Sequence, residues 1–183
     1  SFEITSLNAT QFIPIKNLDS RYFIDKVYYD TRRQYLVVEF VRDIFVEGHH
    51  YQVSFGFRGS LKDDNRGFYK SVYTDAAGQK RWLVTSQMEP THARKSFPCF
   101  DEPDLKARFK IRVIHDASLH SLSNMPILSS GPVGDAQELR LPADTGLGSY
   151  NWKQTEFYET VAMSTYLVAL IVSDFACVSG VAN

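Results

Sequence analysis

Charge gathers in one stretch of this chain: Glu89, Arg94, Lys95, Asp101, Glu102, Asp104, Lys106 and Arg108 follow one another closely. Two readings of these carboxylates stand side by side. In one they are surface ion pairs, which contribute little. In the other, one carboxylate faces a pocket and binds a cation. A substrate α-ammonium would suit it, because a charge-assisted hydrogen bond to a desolvated carboxylate is strong. The other residue types that do chemistry are badly spaced for it. There is no His-Glu-x-x-His, so the two-histidine zinc helix is missing from these residues. His49 and His50 are adjacent, and on a strand their rings point to opposite faces. His92, His115 and His120 have no partner at metal-ligand spacing. No Gly-x-Ser-x-Gly elbow, phosphate-cradling glycine loop or Cys-x-x-Cys occurs. On its own residues, this chain is not expected to be a complete enzyme.

The elements that must hold this stretch read as strands. Period-two alternation predicts strands at Tyr22–Tyr29, Tyr35–Phe40, Tyr51–Phe57, Trp82–Thr85, Phe109–Val113, Ser118–Leu122, Glu138–Leu141, Thr155–Thr160 and Thr165–Asp174. Turn signals separate them, among them Asp30-Thr31-Arg32-Arg33, Ala77-Gly78, Gly131-Pro132 and Asp144-Thr145-Gly146. Without long helical periodicity, this spacing predicts an all-β fold, a curved antiparallel β-sandwich, as one domain over residues 1–183. The segment from Thr91 to Lys106 departs from the pattern. Thr91 to Lys95 reads as a short helical turn capped by Thr91, and Pro98 and Pro103 then forbid a regular ladder. Long irregular segments in a β domain are usually functional or tightly packed.

Composition narrows the function classes. The chain has 183 residues, 44% hydrophobic, 22% charged and 14% aromatic, which is a globular composition. Twenty basic residues against 21 acidic ones leave a net charge of -1, with no basic block to attract nucleic acid or an anionic membrane surface. Cys99 and Cys177 allow at most one disulfide. The start at Ser1 shows no leader, so a signal peptide is expected to be removed or to lie outside this sequence. From Thr160 to Asn183 the only charge is Asp174, but the apolar core Tyr166–Val172 is too short to span a membrane and reads as a buried strand. Asn8-Ala9-Thr10 is an N-glycosylation sequon.

The run Ser86-Gln87-Met88-Glu89-Pro90, then Ala93-Arg94, Phe97-Pro98-Cys99-Phe100-Asp101-Glu102-Pro103 and Lys106-Ala107-Arg108-Phe109 closely resembles the signature of the aminopeptidase N family of zinc metallopeptidases. These are the animal membrane alanyl aminopeptidases of the gluzincin clan. Gly67-Phe68-Tyr69, Ser123-Asn124-Met125-Pro126 and Met163-Ser164-Thr165-Tyr166-Leu167 extend the resemblance from about Ile24 to Phe175. Ser86 stands where Thr is commoner.

The resemblance implies the N-terminal β domain, a saddle of strands packed on a thermolysin-like catalytic domain that carries the zinc helix and the Gly-x-Met-Glu-Asn motif. The family's first strands are expected before Ser1. It implies that Glu89 holds the substrate's α-amino group and that Gln87 lines the first-residue pocket. Arg94, Asp101 and Glu102 then hold the loop, and Cys99 stays a free buried thiol. Zinc belongs to the parent enzyme, and none is expected on this chain. The partners are peptides, through their free N-termini, and the protein's own catalytic domain. The location is extracellular, membrane-anchored or secreted, with a cytosolic member left open. The rival reading is a non-catalytic β-sandwich, a cell-surface receptor module bound by a protein ligand such as a toxin or virus.

Overall fold

The computed structural model describes residues 24–41, 45, 47–50, 55, 57, 59–133, 151–176, 178 and 180. Its strands are β1 (Ile24–Asp30), β2 (Tyr35–Phe40), β3 (Gly67–Thr74), β4 (Lys80–Gln87) and β5 (Arg112–Asp116). They continue with β6 (His120–Ser123), β7 (Ile127–Pro132), β8 (Trp152–Phe157) and β9 (Leu170–Ser173). Among the described residues, two short 3-10 turns, Ala93–Lys95 and Thr165–Leu167, interrupt them. Every strand pair among the described residues is antiparallel, so the expected all-β antiparallel class holds. Among the described residues no helix is long and apolar enough to cross a membrane.

The chain divides into two compact units, Glu3–Gly59 and the part from Ser60 onward. In the first, β1 and β2 form a hairpin. Its turn is closed by Asp30, whose carboxylate accepts the Arg33 backbone N–H at 2.9 Å and the Arg33 guanidinium at 3.0 Å. The second unit holds a four-stranded sheet in the order β3-β4-β9-β6 and a three-stranded sheet in the order β5-β8-β7.

Alternation sets which face of β8 is buried. Thr155 and Phe157 are buried, while between them Glu156 takes Lys110 at 3.2 Å and Arg112 at 3.6 Å. Beside Thr155 lies buried His115. The Asp116 carbonyl can only accept, so His115 Nδ1 carries the proton across the 2.8 Å contact. Nε2 then accepts the Thr155 hydroxyl at 3.2 Å, and Thr155 in turn accepts from Ser130 at 3.2 Å. His115 is a satisfied core residue.

Several boundaries differ from expectation, each for a tertiary reason. β5 begins at Arg112 rather than Phe109, because Phe109 N–H goes to the Thr160 side chain at 3.0 Å instead of a backbone carbonyl. β8 runs Trp152–Phe157 rather than Thr155–Thr160; beyond it, Tyr158 N–H turns to the Pro126 carbonyl. Gly131-Pro132 is not a turn but the end of β7, where an edge position tolerates a proline that has no N–H. The strand expected over Thr165–Asp174 shortens to Leu170–Ser173 after the second 3-10 turn, with Val172 and Ser173 buried. β3 and β7 are strands that the alternation did not predict. Asn8, Cys177, Glu138–Leu141 and Asp144-Thr145-Gly146 lie outside the described residues, as does most of Tyr51–Phe57.

Candidate functional site

β4 carries the chain to the site. Its last residue, Gln87, pairs with Gly67 at the start of β3 and is exposed. Met88 then turns inward and is buried. The next residues form a tight turn in which the Met88 carbonyl accepts the His92 N–H at 2.7 Å. Glu89 lies on this turn, exposed, with a cis peptide to Pro90. Its carboxylate makes no hydrogen bond or ion pair with the described residues. Gln87 and Glu89 therefore stand one residue either side of a buried anchor.

The helical turn is one residue shorter than expected. It is a 3-10 turn at Ala93–Lys95, preceded by His92 rather than Thr91, and no side chain caps it. Packing compensates, since Ala93 is fully buried. Burial lowers the His92 pKa, with the Lys95 and Arg66 charges acting in the same direction. Its Nδ1 is buried without a partner among the described residues.

Arg94 and Asp101 close the loop that follows. Asp101 Oδ2 accepts Arg94 Nε at 2.9 Å and the Arg94 backbone N–H at 3.2 Å, while Arg94 Nη2 donates to the Asp101 carbonyl at 2.8 Å. Thr165 donates its hydroxyl to Asp101 Oδ1 at 2.6 Å. Burial pushes the Asp101 carboxyl upward. The hydrogen bonds from Thr165 and Arg94 outweigh it, so the pKa lies below its usual value. Glu102 is different: it is exposed, its carboxylate has no partner among the described residues, and its backbone N–H bonds the Phe100 carbonyl at 3.0 Å. Cys99 is a free, half-buried thiol that burial pushes up to about 12, with the Asp101 charge adding to the effect.

A strap from Met163 to Val168 backs the loop. Ala107 and Met163 exchange backbone hydrogen bonds at 3.0 Å. Ser164 donates to the Pro103 carbonyl at 2.6 Å and accepts from Lys106 at 3.0 Å. Met163 and Val168 join Met88 and Ala93 among the buried apolar side chains. Phe97 sits between Phe68 and Phe109, with ring centroids 6.4 and 6.1 Å away. Of the remaining charges, Arg108 meets Glu159 at 3.4 Å on an exposed face.

Sequence reasoning placed Gln87, Glu89, Arg94 and Asp101 in one segment. It assigned no role to Ser96, Ser164 or Thr165, although the last two fall in the Met163–Leu167 block that the resemblance had picked out. Among the described residues, no three of His, Cys, Asp and Glu converge as metal ligands. The arrangement is a tight turn, closed by a backbone hydrogen bond, that presents the unpaired Glu89 carboxylate.

Residues 4–167 match the family model of the Peptidase M1 N-terminal domain. The chain belongs to the M1 peptidase family. Within it, the chain is similar to aminopeptidase N of Bos taurus, with 45% identity over 159 residues, 87% of this chain and 15% of the relative. Aminopeptidase N of Rattus norvegicus is 40% identical over 178 residues, covering 96% of this chain and 16% of the relative. Aminopeptidase Q of Homo sapiens is 40% identical over 153 residues, 83% of this chain and 14% of the relative. The chain is thus the N-terminal domain of an aminopeptidase N-type protein, and it spans about a seventh of the length of these curated relatives.

Proposed function

We propose that this domain serves a zinc aminopeptidase that removes N-terminal residues from peptides, and that Glu89 is its anchor for the substrate α-amino group. The observation that supports the reading is the pairing of freedom and rigidity at Glu89. Its carboxylate is unpaired among the described residues, yet it sits next to buried Met88 on a turn closed by a 2.7 Å hydrogen bond. An exopeptidase must count from the N-terminus, and a carboxylate held in place to pair with the ammonium sets that register. Gln87, the last residue of β4, borders the first side chain on this reading. Arg94 and Asp101 keep the loop in shape.

Zinc is a feature of the parent enzyme, where it would polarise the scissile carbonyl and activate water. On this reading the domain's part is to bind and orient the substrate through Glu89 and Gln87. Glu89→Ala in the full-length enzyme is expected to raise KM about tenfold to a hundredfold, the range of a hydrogen bond to a charged group. Unchanged kinetics would refute the anchor. Residues 1–183 alone are expected to show no turnover of an aminoacyl arylamide and no stoichiometric zinc, and measurable activity would overturn that assignment. On the same reading the protein lies on the extracellular side of the plasma membrane or is secreted, which the Asn8 sequon supports and glycosidase-sensitive mass tests.

The rival reading, a recognition surface for a protein ligand, is favoured by the β1–β2 hairpin. Tyr28, Tyr29 and Tyr35 are all exposed there. Binding of a surface ligand by residues 1–183 alone, lost on Tyr35→Ser, supports it; binding that needs the rest of the protein goes against it.

A further inference from the structure

We infer that Ser96 is a positioning residue for substrate binding, acting through Glu89, a role that rests on the reading of Glu89 as the amine anchor. Ser96 is buried at the end of the 3-10 turn, where its N–H bonds the Ala93 carbonyl at 2.8 Å. Its hydroxyl bridges two segments that are distant in sequence. The oxygen accepts the Phe68 backbone N–H at 2.7 Å, and the hydroxyl proton points to Met88 Sδ at 3.4 Å. One side chain thereby joins the start of β3 to the buried residue that immediately precedes Glu89.

The space around Ser96 is built for this contact. A Cβ on Gly67 would lie 2.7 Å from Ser96 Oγ, 3.1 Å from the His92 carbonyl oxygen and 3.2 Å from Lys95 Cβ. Glycine at position 67, with φ of +67°, lets β3 come this close to the loop. The Glu89 turn is therefore held at three points. The Gln87–Gly67 pairing fixes its entry, the Met88–His92 hydrogen bond closes it, and the Ser96 hydroxyl ties its inner side to β3. Removing the hydroxyl frees a part-buried N–H and takes the donor from Met88, while the fold keeps its strand pairing. The loosening falls on the Met88–Glu89 joint, so the loss should appear in recognition of the ammonium.

The test is a double-mutant cycle in the full-length enzyme, combining Ser96→Ala with Glu89→Gln. The readouts are KM and kcat for an aminoacyl arylamide and Ki for a desamino analogue with the same side chain. Ser96→Ala is expected to raise KM about threefold to tenfold and to keep kcat within about twofold. It should leave the desamino Ki unchanged and add nothing to Glu89→Gln. An equal effect on both backgrounds, or on both ligands, would make Ser96 a general structural residue and overturn the inference. So would the absence of any effect. If Glu89→Gln itself leaves KM unchanged, the anchor reading fails first and this inference falls with it. Where Ser96→Ala does not accumulate as folded protein, Met88→Leu takes its place in the cycle. That change removes the sulfur acceptor, nearly conserves volume, and is judged by the same outcomes.

Discussion

Asp101 Oδ2 accepts both the side chain and the backbone of Arg94, at 2.9 and 3.2 Å, so one carboxylate oxygen closes the loop that follows the Glu89 turn. The other oxygen takes the Thr165 hydroxyl and joins that loop to the strap behind it. A nearly buried acid with this many donors works as a clasp. Its removal leaves a partly buried guanidinium without a counter-charge.

Asp101→Ala is therefore expected to destabilise the chain by about 2–4 kcal/mol, at the lower side of the range for a broken buried pair because Arg94 keeps some solvent contact. Thr165→Val, which deletes one hydroxyl partner, should cost about 1 kcal/mol. Urea midpoints measured at neutral pH check both values. Equal costs for the two variants would contradict the central place of the carboxylate.

The same carboxylate makes stability depend on pH. Burial raises its pKa, but hydrogen bonds from Thr165 and Arg94 outweigh that and hold it below the usual aspartate value. The native state thus binds this proton less readily than the unfolded state, and the stabilisation is complete above the unfolded value. It is lost as pH falls through the lower native value. Urea midpoints should fall as the pH drops below the ordinary aspartate pKa of about 4, and Asp101→Asn should flatten that part of the curve. A parallel decline in the variant would point to other acids.

Gly67 and Gly78 separate backbone strain from steric overlap. Both have positive φ, +67° and +78°, but a Cβ on Gly78 meets nothing within 4 Å, whereas one on Gly67 meets the Ser96 hydroxyl at 2.7 Å. Gly78→Ala should cost about 1 kcal/mol, and Gly67→Ala about 2–3 kcal/mol. Thermal unfolding of the two variants compares them directly. A Gly67→Ala cost no larger than that of Gly78→Ala would show that the loop yields easily.

Cys99 should be slow to react. Burial and the neighbouring Asp101 charge push its thiol up to about 12, so the thiolate needed for alkylation is scarce at neutral pH. Iodoacetamide labelling at pH 8, followed by peptide mapping of the Cys99 segment, should be far slower in the native protein than in urea. Equal rates would mean that the thiol is open to solvent.

Sequence periodicity read well where a strand pairs with its neighbour along its whole length, as at Tyr35–Phe40, which is β2. It read poorly where tertiary partners replace the ladder. Phe109 gives its N–H to the Thr160 side chain, so the alternation there runs ahead of the strand. Thr165–Leu167 looks strand-like by composition, yet it curls into a 3-10 turn whose first hydroxyl is committed to Asp101. The residues Gln87, Glu89, Arg94 and Asp101 were singled out because the run that resembles the family signature contains all four. Their partners Ser96, Gly67 and Thr165 were not, since nothing local to a serine, glycine or threonine states what it will touch across the fold.

The amino-acid sequence by itself determined the antiparallel all-β class, the irregular charged loop and the family of the chain. These depend on residue alternation, on proline chemistry and on an ordered motif, all of which are readable one residue after another. Only the tertiary structure decided which charges pair and which stay free. Asp101 and Glu102 are neighbours of the same charge, and neither type nor spacing distinguishes them. The fold buries Asp101 against Arg94 and Thr165 and leaves Glu102 exposed, because ion pairing depends on which side chains meet at about 3 Å, whatever their separation along the chain.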